Sequence, residues 1–292
     1  MTDKPMRVPD RVVDAHVHIW DPARTDWYPY LSATGPAVPG GSDAMKRLHD
    51  VATYRSESAR WNVEKFVNVA AATGRNAVDE TIELDREAAG RGGPDAIIGG
   101  LPPTDTVAEA IELIDRQMTA SRFRGVRRMG AFDRPVPEPE VLRALQERNL
   151  VFELMTRTDQ LVTAASKLQE VDGLVVVVEH TGWPRPDSVD ERNLWETGID
   201  ALAGIGGNVF CKLSGLAMPF KSMEPDVFAP WIEYAIQRFG VDRCMFASNF
   251  PVDSAFGTFD DLYETYSTVT AGLDTESRDM LFAGNAERVF RL

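Results

Sequence analysis

The sequence is poor in cysteine, histidine and positive charge, and it has no long apolar run. Among 292 residues there are two cysteines and four histidines, and 45 acidic side chains outnumber 31 basic ones, for a formal net charge of −14. Such an acidic balance argues against nucleic-acid binding, because backbone phosphates require clustered Lys and Arg. No apolar stretch approaches a membrane span, and no basic leader with an apolar core precedes the first strand. These absences predict a cytoplasmic protein that binds neither nucleic acid nor a membrane.

The cysteines are too few for a disulfide framework. Cys211 and Cys244 lie in apolar, strand-like segments, so we expect reduced thiols in the core. Apolar side chains are abundant instead, at 43% of the chain, which is ample for a large core. A length of 292 residues fits one α/β barrel, and we expect residues 1–292 to form a single domain.

Short apolar runs alternate with amphipathic stretches along the chain. Eight runs have the length and composition of buried strands: 11–19, 65–71, 96–101, 123–129, 150–156, 174–180, 208–215 and 243–250. Helical patterns separate most of them, for example 107–120, 139–149 and 228–240, the last ending in a glycine suited to a helix C-cap. Eight β/α units in fewer than 300 residues predict a (β/α)8 TIM barrel. A doubly wound open sheet is the alternative, and it lacks a Gly-rich fingerprint after its first strand.

Three of the four histidines lie where predicted strands end. His16 and His18 stand two apart in the run VVDAHVHIW, and His180 follows VVVVE. Side chains at i, i+2 and i+4 share one face of a strand, so Asp14, His16 and His18 are predicted to point the same way. Polar groups on a buried strand need partners or serve chemistry. Because catalytic groups of a TIM barrel come from the C-terminal ends of strands, we expect these histidines to meet Asn249 at one rim.

Six motifs carry a resemblance that covers nearly the whole chain. In order they are VVDAHVHIWDP, RGVRRM, VVVVEHTGWP, CKLSGL, MFASNFPVD and AGNAERVFRL. Together they resemble the amidohydrolase superfamily, and within it the lactonase-rich branch that includes sugar-lactone and pyrone-dicarboxylate lactonases. The resemblance implies a (β/α)8 barrel that hydrolyses a small carbonyl compound at the C-terminal ends of its strands.

The sequence departs from the superfamily pattern in three places. The histidine that usually ends strand five is missing, and the run LVFELMT offers Glu153 instead. Arginines replace the usual metal-bridging Lys or Glu of strand four. The strand-eight aspartate is Asn249, and an amide cannot accept a proton at neutral pH. The first two departures fit the lactonase branch, which often works without a metal.

The resemblance implies hydrolysis of a ring ester by water. His16 and His18 would stabilise the oxyanion directly, or one divalent cation, zinc or manganese, would do so as a Lewis acid. The candidate metal ligands are His16, His18 and His180. We favour the metal-free mechanism, with His180 as the base and Asn249 positioning water or substrate.

Several inward polar residues are candidates for substrate binding. Arg127 is predicted to face the barrel and Arg128 to face outward, and a guanidinium suits a substrate carboxylate. The alternative for Arg127 is a salt bridge to Glu153 or Asp14. Glu153 itself would either complete a metal site or pair with an arginine. Lys212 and Ser214 share a strand-seven face and could contact substrate oxygens, although Lys212 could instead pair with an acid.

A long segment at about 20–62 follows the first strand and is rich in aromatic side chains. Trp20 and its neighbours would wall a substrate pocket, or form a small core that packs the segment onto the barrel. His49 lies in this segment, and we assign it no chemistry. Asp253, four residues after Asn249, is a possible substitute acid, but an aspartate that follows proline is more often a turn residue.

Two other functions remain open. A metal-dependent, non-oxidative decarboxylase of aromatic acids belongs to the same superfamily, but such enzymes use the strand-eight aspartate that is absent here. A non-catalytic ligand-binding relative that has lost its proton-transfer group is the other alternative.

Overall fold

The structure is a computed structural model that describes residues 8–32, 43–128, 133–186 and 188–292. Met129 of the fourth predicted strand and residues 33–42 of the long segment lie outside that part of the chain. Within it, eight parallel strands pair in sequence order and form a nearly closed barrel, as predicted. The strands are β1 (Val12–Val17), β2 (Val63–Val69), β3 (Ala96–Gly100), β4 (Phe123–Arg127), β5 (Val151–Leu154), β6 (Val176–Val178), β7 (Val209–Leu213) and β8 (Cys244–Phe246).

Helices connect the strands around the outside of the barrel. They are α1 (Val51–Glu57), α2 (Asn76–Arg91), α3 (Val107–Gln117), α4 (Pro139–Glu147), α5 (Leu161–Leu168), α6 (Val189–Gly204), α7 (Ala217–Phe220), α8 (Pro225–Phe239), α9 (Phe259–Val269), α10 (Thr275–Asp279) and α11 (Asn285–Phe290). The three helices predicted as examples are confirmed as α3, α4 and α8. Gly240 ends α8 with a φ of 86°, and its N–H donates to the Ile236 carbonyl. In the part of the chain that the structure describes, no helix is long and apolar enough to cross a membrane.

The barrel is joined between β1 and the segment that follows β8. Val17 forms an isolated parallel bridge with Phe250. The His18 N–H donates to the Phe250 carbonyl, and the Asn249 N–H donates to the His16 carbonyl, both at 2.8 Å. These bonds hold the end of the first predicted strand beside the end of the eighth.

Strand alternation divides the apolar residues into two packed layers. One layer lies between the strands and the helices, and it includes the buried thiols Cys211 and Cys244, which are free as predicted. The other layer fills the barrel and consists largely of small and β-branched residues such as Val13, Val151 and Val177. Phe290 of α11 packs against this inner layer and closes the barrel opposite the strand C-termini. Since both faces of each strand are buried, the strands read as continuous apolar runs.

Candidate active site

A layer of polar side chains lies directly above the apolar layer inside the barrel. Strand alternation produces it, because Glu179 follows the inward Val177 by two residues and Lys212 follows Phe210 by two. The polar residues of this layer are buried, and they are His16, His18, Arg127, Glu153, Glu179, His180, Lys212, Ser214 and Asn249. The barrel therefore gathers the three histidines and Asn249 at one end.

The prediction that Asp14 shares a face with His16 and His18 is wrong. The pairing register between β1 and β2 shifts between Asp14 and Val17, so the strand loses its alternation there. Asp14 points outward to α1, where it accepts a hydrogen bond from the Tyr54 hydroxyl at 2.9 Å. After the shift, His16 and His18 both turn into the barrel.

The two imidazoles of β1 contact each other through their Nε2 atoms, which are 3.3 Å apart. His18 Nδ1 lies 2.7 Å from the Val69 carbonyl and must donate to it, so His18 Nε2 is an acceptor. His16 Nε2 is then the donor, and His16 Nδ1 is buried without a hydrogen-bond partner. Burial lowers the pKa of both histidines, with further lowering by Lys212 at His16 and by Arg127 at His18. Both rings are therefore neutral at neutral pH.

His180 occupies a left-handed turn that follows β6. Its φ is 53°, and Thr181 and Trp183 adopt similar values. Non-glycine residues in this conformation are strained, and such strain is common at functional sites. Gly215 allows β7 to approach the ring, since its own φ is +65° and a Cβ there would stand 2.5 Å from His180 Nδ1. The backbone thus holds this imidazole in one place.

The His180 ring connects three parts of the site. Its Nδ1 lies 3.1 Å from the Ser214 hydroxyl, its centroid lies 4.7 Å from that of His16, and its Nε2 lies 3.8 Å from Glu179 Oε2. Burial lowers the pKa of His180 to about 4, against the raising effect of Glu179. The ring is neutral at neutral pH and able to accept a proton.

Glu179 is a site residue that the sequence reasoning missed. Its carboxylate is buried and contacts Arg127 Nη1 at 3.3 Å. Burial alone would raise the pKa of Glu179, but the positive charge of Arg127 and the contributions of His180 and Lys212 lower it. The sequence could have predicted this residue, because side chains two apart on a strand share a face and Val177 points into the barrel.

Arg127 faces the barrel as predicted, but its salt bridge is to neither predicted acid. Besides Glu179, it bonds to the Ala70 carbonyl through Nε at 2.9 Å and Nη2 at 2.5 Å. Arg128 is also buried, and its Nη1 lies 4.0 Å from Glu138, which immediately precedes α4. Arg127 thus points into the barrel, and Arg128 points to Glu138 before α4.

Glu153 and Lys212 pair with each other below the histidines. Lys212 Nζ donates to Glu153 Oε1 at 2.6 Å, and both side chains are fully buried. Of the two alternatives for Glu153, a metal site or an arginine pair, the arginine pair is not observed among the described residues, and the acid-paired alternative for Lys212 is the one observed. Burial raises the pKa of Glu153, and the neighbouring Glu179 raises it further. A protonated Glu153 would donate to Glu179 and so relieve the repulsion between the two carboxyl groups.

Three buried side chains could hold a metal ion. The possible ligand atoms of His16, Glu179 and His180 all lie within 4.8 Å of one another. Two imidazoles and a carboxylate are a ligand set that zinc accepts, and His16 Nδ1 and Glu179 Oε1 have no hydrogen-bond partner. The residues therefore fit a divalent cation. Of the three predicted ligands, His18 falls outside this group, and Glu179 stands in its place.

Asn249 lies beside His16 with a left-handed φ of 57°. Its Nδ2 donates to Asp253 Oδ1 at 2.8 Å. Asp253 begins a short 3-10 turn, Asp253–Ala255, but it is fully buried and bound to a site residue, so its interpretation as only a turn residue was incomplete. The missing observation was tertiary burial, which the local pattern FPVD does not reveal.

The aromatic segment after β1 packs across the C-terminal end of the barrel. Trp20 is buried and stacks on His18, with ring centroids 5.6 Å apart and an interplanar angle of 6°. Trp20 also belongs to a cluster with residues from other strand ends, including Ala71, Met218 and Val252. The His49 carbonyl accepts a hydrogen bond from the backbone N–H of Trp20. The Nδ1 atom of His49 lies 2.6 Å from the His18 carbonyl. The described part of the segment thus forms a small core that also contacts a site histidine.

A family model and several known proteins match this chain along most of its length. The family model described as amidohydrolase matches residues 13–292. An uncharacterized protein, y4mH, from Sinorhizobium fredii is 29% identical, with 96% of this chain and 98% of that protein covered. An L-fucono-1,5-lactonase from Burkholderia ambifaria is 26% identical, with 96% and 95% covered. The crystal structure of an amidohydrolase from Burkholderia multivorans with bound zinc has the same fold, with a TM-score of 0.81, 23% identity, and 96% and 99% covered.

Proposed function

This chain belongs to the amidohydrolase family and is an enzyme, and we propose that it hydrolyses a small cyclic ester, a lactone that bears a carboxylate or sugar-acid group. The observation that carries the proposal is the placement of the neutral His180 imidazole between Ser214 and Glu179, beside the permanent charge of Arg127. A neutral base next to a fixed cation suits attack of water on a carbonyl of an anionic substrate. The L-fucono-1,5-lactonase relative supports a sugar-acid lactone as the substrate class.

The proposed reaction begins with removal of a proton from water by His180 Nε2. The water oxygen forms a bond to the lactone carbonyl carbon as that proton moves to the ring. Glu179, 3.8 Å from Nε2, stabilises the imidazolium that results. The proton then passes from His180 to the ring oxygen as the C–O bond breaks, which yields the open hydroxy acid.

The remaining site residues hold the substrate and stabilise charge. His16 and His18 would stabilise the developing oxyanion once the N–H that His16 donates to His18 turns to the substrate, and Arg127 attracts the substrate carboxylate. Asn249 orients the attacking water. Trp20 packs on His18 and lines the apolar side of the substrate site. Glu153 and Lys212 form a salt bridge beneath these groups, and the positive charge of Lys212 helps to keep Glu179 ionised.

We propose that these steps proceed without a metal, since Arg127 already neutralises Glu179 and Asn249 replaces the strand-eight aspartate. His16, Glu179 and His180 are the residues that would hold a divalent cation. Such an ion, when bound, would supply Lewis acidity at the carbonyl and lower the pKa of water. We also propose that residues 1–292 form one domain, that the protein is cytoplasmic, and that its binding partner is a small-molecule substrate.

A substrate screen tests this function. Purified protein is offered sugar-acid 1,5-lactones and muconolactone-type acids, with and without chelator, and acid release is measured against the spontaneous rate. Hydrolysis of one class that His180→Asn abolishes is the expected result. Carbon dioxide release from aromatic acids, without lactone hydrolysis, would identify a decarboxylase instead. Binding without turnover, with activity gained in Asn249→Asp, would identify a ligand-binding relative.

A further inference from the structure

We propose that Asp253 is a positioning residue that holds the Asn249 amide with its oxygen facing the site, so that Asn249 accepts a hydrogen bond from the attacking water. The identity of the water rests on the proposed hydrolysis, whereas the orientation of the amide does not. Neither the family motif nor the catalytic steps above assign a role to Asp253.

Two acceptors fix the direction of the amide. Asn249 Nδ2 lies 2.8 Å from Asp253 Oδ1 and 3.9 Å from Met218 Sδ. Burial raises the pKa of Asp253 to about 8, but Oδ1 of a carboxyl group protonated at Oδ2 still accepts a hydrogen bond, and a thioether accepts and cannot donate, so the NH2 end of the amide faces them. The amide oxygen is therefore directed to the opposite side. The Asn249 backbone lies beside β1, because the Asn249 N–H donates to the His16 carbonyl at 2.8 Å, and we infer that the amide oxygen faces the histidines.

The connection between Asp253 and Asn249 is short and rigid. The Asp253 N–H donates to the Asn249 carbonyl at 3.2 Å, so backbone and side chain link the same two residues. Asp253 is 0% exposed, and its Oδ2 has no hydrogen-bond partner within the described ranges. Burial raises the pKa of Asp253, although the Asn249 amide and the backbone N–H of Ala217 lower it, and a buried carboxyl group of this kind destabilises a fold unless its chemistry is needed. An asparagine or a leucine would fill this position at lower cost if only packing mattered.

The orientation determines what Asn249 can bind. An amide oxygen accepts hydrogen bonds and cannot donate, so it suits a water O–H better than a substrate carboxylate. A water that donates one O–H to Asn249 and the other to His180 Nε2 keeps a lone pair for the lactone carbonyl. The proton given to His180 is the one lost as the new C–O bond forms. Asp253 thus acts on the reaction through Asn249 and touches neither substrate nor water.

A double-mutant cycle tests this role on the lactone that the screen identifies. Asp253→Leu should lower kcat by about 10-fold with little change in KM, because the amide loses its fixed direction. In an Asn249→Ala background, the same replacement should change kcat by less than about 2-fold, since nothing remains to orient. Asp253→Asn should retain kcat within about 3-fold, because its carbonyl can still accept from Asn249 Nδ2. Equal losses in both backgrounds would overturn the proposal.

A measurement without substrate separates this inference from the proposed function. The side-chain amide signals of Asn249 in a proton–nitrogen NMR spectrum are assigned by their disappearance in Asn249→Ala. Slow hydrogen exchange of this amide is expected in the wild type and in Asp253→Asn, with faster exchange in Asp253→Leu. Ser254→Ala, which removes a hydroxyl bonded to the Pro251 carbonyl in the same turn, is the matched control and should change nothing. Fast exchange in Asp253→Asn, or unchanged exchange in Asp253→Leu, would refute the orienting role even if no lactone is hydrolysed.

Discussion

The Nε2 atoms of His16 and His18 lie 3.3 Å apart, at the point where β1 interrupts its alternation. Side chains two residues apart on a regular strand are separated by about 7 Å along the chain, so the two rings lean together. The same interruption sends Asp14 outward to Tyr54. Bulges next to active sites redirect side chains in this way, and here one brings two neutral imidazoles to the end of the barrel.

Replacing His180 with asparagine should abolish most of the activity. The substitution removes a neutral imidazole that Ser214 and Glu179 hold in place. We expect kcat on a verified lactone to fall by roughly 10²- to 10⁴-fold, the usual contribution of a positioned acid–base group. Steady-state kinetics with the purified variant measure the loss.

Asn249→Ala is the matched control for that variant. It removes an orienting amide at the same end of the barrel but leaves the base in place, so its loss of kcat should be smaller. Near-normal kcat in His180→Asn would refute the assignment of His180 as base, and Glu179 would be the next residue to test.

Replacing Arg127 with methionine should weaken substrate binding. Methionine keeps much of the volume and removes the charge, so KM should rise by roughly 30- to 150-fold, which corresponds to about 2–3 kcal/mol for a charged hydrogen bond. Circular dichroism and urea unfolding accompany the kinetics, because Glu179 loses its partner in this variant.

The double variant Arg127→Met/Glu179→Gln separates the two roles of Arg127. It removes the positive charge and the buried negative charge together, so it should unfold at a urea concentration nearer to that of the wild type. An Arg127→Met protein that unfolds, together with a stable double variant that binds substrate as tightly as the wild type, would show that Arg127 only pairs with Glu179.

The strands were predictable from the sequence because their apolar runs report burial on both faces, which is a local property. The inward placement of Arg127 also follows from alternation along β4. The pairing of Lys212 with Glu153 was not predictable as such, because these residues lie on β7 and β5 and meet only across the barrel. The outward turn of Asp14 depends on the register with β2, which no single-strand pattern contains.

Glu80 should make the stability of the protein depend on pH. Burial raises its pKa to about 7, although the Tyr28 hydroxyl and the N–H groups of Ala71 and Ala72 donate to it. Because the folded pKa lies above the ordinary value of 4.5, this group stabilises the fold fully at pH below 4.5, and that contribution is lost as the pH rises through 7.

Glu80→Gln tests this linkage. Glutamine keeps the shape without a titration, and although its NH2 group replaces one of two accepting oxygens and lowers the stability at every pH, the decline in the free energy of unfolding between about pH 5 and pH 7 should become shallower, by at most about 1.4 kcal/mol per pH unit. Urea unfolding of both proteins at several pH values gives the two slopes. Parallel slopes would mean that Glu80 is ionised in the folded protein throughout this range.

Metal content should decide between the two versions of the mechanism. We expect protein purified without chelator to contain far less than one zinc or manganese ion per chain, because Arg127 already neutralises Glu179, and we expect dipicolinate to leave lactone hydrolysis unchanged. Elemental analysis by mass spectrometry measures the first outcome and the substrate assay measures the second. Glu179→Gln and Glu153→Gln form a matched pair, since both remove a buried carboxylate but only Glu179 belongs to the group with His16 and His180. One ion per chain in the wild type and in Glu153→Gln, lost in Glu179→Gln, would replace the metal-free mechanism with a metal-assisted one at that group.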